Sequence, residues 1–154
     1  MEKFFKTGTL DTIDKHIAGW MEQYGFVILR ISIAIVFIWF GLLKPLGISP
    51  AEELVRGTVY WVDPDFFVPF LGLWEVAIGV ALLFRKLIRI AILLLFLQIP
   101  GTFLPLVLLP DVTFTHFPYG LTTEGQYIIK NLIIIGAALV IGGTVRRTGV
   151  KPKL

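Results

Sequence analysis

The chain has 154 residues, of which 56% are hydrophobic and only 16% charged, with a mean hydropathy of +0.82. That balance excludes an ordinary soluble globular domain and reads as a single integral membrane domain. The net charge of +3 comes from basic residues at loop edges, where membrane topology uses them, so nucleic acid is not an expected partner.

Residues 1–24 contain Asp11, Asp14 and Glu22 and lack a long apolar core followed by a small-residue cleavage site. They do not read as a signal peptide, and the first span is expected to act as the uncleaved insertion signal. Leu10 to Gln23 is expected to form a surface helix ending near Gly25, with Ile13, Ile17 and Trp20 or Met21 on its apolar side. The first span then runs from about Tyr24 to Leu43, interrupted only by Arg30. At ~1.5 Å per residue it covers roughly 30 Å, the thickness of a hydrocarbon core.

The loop that follows contains Ser49-Pro50-Ala51-Glu52, a hydroxyl N-cap with Pro at the first helical position and Glu at the third. A short amphipathic helix over about 50–61 is expected, with Tyr60 and Trp61 at headgroup level. Ser49 has no converging base that would make it a nucleophile.

The second span runs from about Phe66 to Phe84 with Glu75 at its centre. The third, from about Leu87 to Leu109, has Gln98 at its centre, and Pro100, Gly101 and Pro105 predict a kink in its second half. The fourth runs from about Gly125 to Val145, opens with Gln126, Lys130 and Asn131, and carries the small residues Gly136, Ala137, Gly142 and Gly143 for close helix contact. The fold expected is therefore an all-α, integral membrane four-helix bundle. Lys3, Lys6, Lys15, Arg85, Lys86, Arg89, Arg146, Arg147, Lys151 and Lys153 place ten of the fourteen Lys and Arg on one side, so both termini are expected to be cytoplasmic.

A charge inside a bilayer costs at least ~2.5–3.5 kcal/mol on insertion scales, so such residues normally pair or line a polar path. Arg30, Glu75, Gln98, Lys130 and Asn131 therefore form the candidate ligand-binding cluster. Glu75 is expected to contact Arg30, because a guanidinium grips a carboxylate with two parallel hydrogen bonds. The same buried ion pair also suits a purely structural role, fixing helix register. Lys44, Glu124, Gln126, Tyr127 and His116 are candidates for an outer vestibule that would hold a headgroup, a quinone ring or a small anion, although Lys44 also suits snorkelling to the interface. No catalytic motif stands out. With no cysteine and only two histidines, His16 and His116 on opposite sides, neither a metal site nor a haem is expected.

Arg30, the run Phe37-Ile38-Trp39-Phe40-Gly41-Leu42-Leu43-Lys44, then Ser49-Pro50-Ala51-Glu52 and Leu71-Gly72-Leu73-Trp74-Glu75-Val76-Ala77-Ile78-Gly79, taken in order, resemble the DoxX-like family of small four-helix bacterial membrane proteins. Thr123 to Leu132 resembles that family's last span. The resemblance covers roughly Gly25 to Gly143. It implies a multi-pass protein of the bacterial inner membrane, with Arg30, Lys44 and Glu75 at recurrent polar positions. It also implies association with quinone-linked redox or oxidative-stress assemblies.

Three functions stay open at this stage. One is an accessory or ligand-binding subunit that holds a quinone or lipid and docks a membrane or periplasmic redox partner, without stand-alone catalysis. Another is a small proton-coupled transporter or channel-like homo-oligomer using Glu75. The last is a purely structural assembly factor.

Overall fold

The structure, a computed structural model, describes residues 9–145. Lys3, Lys6, Arg146, Arg147, Lys151 and Lys153, on which the expected orientation partly rests, lie outside the described residues.

Four helical segments are long and apolar enough to cross a membrane, Leu10–Leu43, Pro64–Leu83, Arg85–Leu108 and Thr123–Thr144. The first belongs to α1 (Thr9–Leu43), one unbroken helix of 35 residues. A separate surface helix ending near Gly25 is thus not formed. No proline interrupts the stretch, and a single glycine costs a helix only ~1 kcal/mol, too little to end it.

Helix α1 stops where the chain reverses through Gly47, which adopts the left-handed φ of +68° that favours glycine. Gly47 N–H donates to Lys44 O at 3.1 Å and Ile48 N–H to Leu43 O at 3.1 Å, closing the helix end. The short helix α2 (Glu52–Thr58) follows. Its predicted capping box does not form: Ala51 holds the cap position, and Ser49 Oγ accepts only from Ala51 N at 3.4 Å. The Glu52 carboxylate turns instead to Arg56 Nε at 2.9 Å. Arg56 also bonds Asp65 at 2.6 Å, tying α2 to the start of the next helix, and Asp65 first, then Glu52, hold its guanidinium above its usual range.

Helix α3 (Pro64–Leu83) begins with Asp63 accepting from Asp65 N and Pro64 in the first turn, the usual N-terminal arrangement. A 3-10 turn, Arg85–Leu87, leads into α4 (Ile88–Phe103), which accommodates Pro100 inside it. The break in the third span falls at Leu104, just ahead of α5 (Pro105–Leu108). α6 (Pro110–Thr113) and a two-stranded antiparallel hairpin, β1 (Phe114–His116) with β2 (Gly120–Leu121), complete the second long connection.

The fourth span is two helices, α7 (Thr123–Ile129) and α8 (Asn131–Thr144), interrupted at Lys130. Thr122 caps α7 by accepting from Gly125 N, while its hydroxyl donates to Val112 O at 2.7 Å. The hairpin is thereby fastened to the helix it precedes.

Helices α1 and α3 pack closest. Gly79 lies against the Ala34 carbonyl and Ile38, while Gly72 lies against Gly41, Lys44 and Pro45, so the two run antiparallel with small residues at the seam. Ala34, Ile78, Ala81, Leu82, Ile88, Ala91, Leu95, Ala138 and Ile141 form the buried core shared by α1, α3, α4 and α8. The outward faces remain apolar, with Trp39, Leu73, Leu97 and Ile133 exposed.

Candidate functional site

Glu75 sits on the α3 face that carries Gly72 and Gly79. Because Gly41 has no side chain, the Glu75 Cβ comes within 3.0 Å of where a Gly41 Cβ would be. This close approach brings the end of α1 over the carboxylate. Lys44, one residue past α1, rests its Cβ against Gly72 and places its ammonium on Glu75 Oε2. The other oxygen, Oε1, accepts from Gln98 Nε2 of α4 at 2.9 Å. One turn earlier on α4, the Leu94 carbonyl accepts from Trp74 Nε1 at 3.2 Å. Neighbouring residues of α3 thus reach successive turns of α4.

The cluster is almost closed to solvent, with the Lys44 and Glu75 side chains 7% and 13% exposed. The ammonium neutralises the carboxylate, and the amide supplies a further donor. Since a carboxylate only accepts, Gln98 must turn its NH2 toward Glu75. Its Oε1 is then left buried with no donor.

The contact expected between Arg30 and Glu75 is not made. Arg30 lies eleven residues before Gly41 on α1, about 16 Å along the axis and beyond the reach of its side chain. The side chain is buried at 9% exposure, and Nε and Nη1 have no partner. The position of a residue within one helix carries no register between helices, and that register assigns Glu75 to Lys44 rather than Arg30.

Lys130 and Asn131 are also apart from the cluster. Lys130 is exposed and lies over the Tyr127 ring, 4.5 Å from its centroid. Asn131 Nδ2 donates to the carbonyls of Tyr127 and Ile128 at 3.1 and 3.0 Å. Those carbonyls lie at the helix interruption, and Asn131 satisfies them there.

The expected vestibule does not assemble either. Lys44 is inside the cluster, His116 is exposed on β1, and Glu124, Gln126 and Tyr127 are exposed on α7. Tyr127 meets Lys130 of the other set instead.

Of the residues singled out from sequence, Glu75, Gln98 and Lys44 come together. The signal for Lys44 was Gly41 three residues before it and Gly72 three before Glu75, a small-residue pair that lets two helices approach closely. No protein-family model matches this chain, and no curated protein or solved structure matches it. The fold and the site define a predominantly helical type of protein, with four membrane-length helices and a charged cluster joining the first three.

Proposed function

We propose that this is a multi-pass membrane protein with both termini cytoplasmic, acting as a non-catalytic accessory subunit that binds an amphipathic ligand of quinone or lipid type. The observation that carries this reading is Gln98 Oε1, a buried acceptor without a donor at the edge of an ion pair within an apolar bundle. Leaving such an atom unpaired costs ~1–3 kcal/mol, so a ligand hydroxyl that donates to it gains correspondingly. A quinol hydroxyl on a flat apolar ring has that chemistry. The resemblance to DoxX-like proteins supports the same reading, with a bacterial inner-membrane location and a quinone-linked redox or stress-response partner.

The test is thermal unfolding of the purified protein with a short-tailed benzoquinol. A ligand held at 100 times its Kd adds about 2.7 kcal/mol, so the unfolding temperature should rise in the unsubstituted protein and stay put in Gln98→Leu. No rise in the former, or an equal rise in both, rejects the proposal.

A structural reading has its own support, because both Glu75 oxygens are already occupied within the chain. Under it the cluster fixes the register of three helices and binds nothing. Gln98→Leu would then lose the bond to the Glu75 carboxylate, worth about 1.5–3 kcal/mol, with the benzoquinol shifting neither protein.

A further inference from the structure

Arg30 presents a separate problem. A guanidinium is charged at every accessible pH, and this one is nine-tenths buried with Nε and Nη1 unpartnered. Among the described residues its end of the bundle offers little negative charge. Glu22, the nearest carboxylate along α1, is eight residues away, about 12 Å, and exposed. Asp11 is already paired with Lys15, and Glu75 with Lys44. The antiparallel seam that sets Gly79 beside Ala34 and Ile38 brings Arg30 level with the last turn of α3, next to the exposed Arg85, Lys86 and Arg89.

An apolar groove of about 130 Å3, lined by Ser32, Ile33, Val36 and Ile134, opens between α1 and α8. Ile33 follows Arg30 by one helical turn on the same face. A buried unpaired cation thus lies one helical turn along α1 from Ile33, a residue of the wall of a narrow apolar groove.

We propose that this end of the bundle binds an anionic phospholipid, with its phosphate on Arg30 Nε and Nη1 and an acyl chain along the groove between α1 and α8. Charge complementarity selects the headgroup, because Arg donates in a planar fork that matches a phosphate, and the groove lining selects hydrocarbon. The inference shares the membrane setting of the proposed function but concerns another site, so Gln98→Leu should leave it intact.

The test is native mass spectrometry of the full-length protein with phosphatidylglycerol, phosphatidylcholine or inorganic phosphate. The unsubstituted protein should retain phosphatidylglycerol about tenfold over phosphatidylcholine, the size of one charged hydrogen bond. That preference should vanish in Arg30→Met and persist in part in Arg30→Lys. Val36→Trp, at an exposed position of the groove wall, should weaken retention even if Arg30→Met fails to fold. Equal retention of both lipids, an unchanged preference in Arg30→Met, or unchanged retention in Val36→Trp overturns the proposal. So does displacement of the lipid by millimolar phosphate, which would make the site one for the free anion. A dimer that Arg30→Met dissociates would assign the guanidinium to an acidic group of a second copy and likewise overturn it.

Discussion

Gly72 lies so close beneath α1 that a methyl group on it would sit 2.5 Å from the Gly41 carbonyl oxygen and 2.7 Å from the Lys44 Cβ. The seam between α1 and α3 is therefore set by backbone contact, and the Lys44–Glu75 pair depends on that spacing. Gly72→Ala should destabilise the protein by about 1–3 kcal/mol, the usual cost of overpacking. Gly136→Ala, inside α8 where nothing lies within 4 Å, should instead stabilise by up to about 1 kcal/mol, the helix cost of glycine. Thermal unfolding of the two variants side by side checks the contrast.

Breaking a buried ion pair by removing one partner leaves the other charge stranded. Lys44→Met and Glu75→Gln should each lose about 3–5 kcal/mol, with partial recovery in the double variant. Arg30→Met combined with Glu75→Gln should instead be additive within about 0.5 kcal/mol. Coupling of Glu75 to Arg30 rather than to Lys44 in this double-mutant cycle would contradict the observed pairing.

Asn131 and Lys130 are adjacent, yet their replacement should differ. Asn131→Leu removes two hydrogen bonds to carbonyls at the interruption of the fourth span and should cost about 1–2 kcal/mol. Lys130→Gln removes an exposed cation over Tyr127 and should change stability by less than about 1 kcal/mol. Chemical denaturation in detergent would rank them.

Gly125 packs against the hairpin, and a methyl there would lie 2.2 Å from the Thr113 carbonyl oxygen. Gly125→Ala should push α7 and the hairpin apart. Limited chymotrypsin digestion reads this directly at Tyr119, which is 81% exposed. Faster cleavage after Tyr119 is expected, and an unchanged rate would show that the contact does not hold the hairpin in place.

The four long apolar helices were legible because long apolar runs have few alternatives, and Glu75 and Gln98 were legible as members of one polar cluster because each interrupts such a run near its middle. Lys44 was harder to place, since a cation at the end of a span ordinarily snorkels to water. What draws it inward is the Gly41–Gly72 seam, and periodicity within one helix carries no register between two. Asn131 looked like a site residue for a related reason. The interruption it serves at Lys130 has no proline to announce it, so its polar side chain seemed to need a partner across the bundle. The hairpin after Thr113 was missed because its strands are two and three residues long, too short to show an alternation.

Helix α1 is also a lever. Its 35 residues span about 52 Å at the rise of an α-helix, some 20 Å more than a hydrocarbon core requires. No proline provides a hinge along that length, and residues 12–24 are exposed on every side. Whatever grips the stretch around Ile17 and Trp20 therefore holds the far end of a stiff rod whose other end carries Lys44.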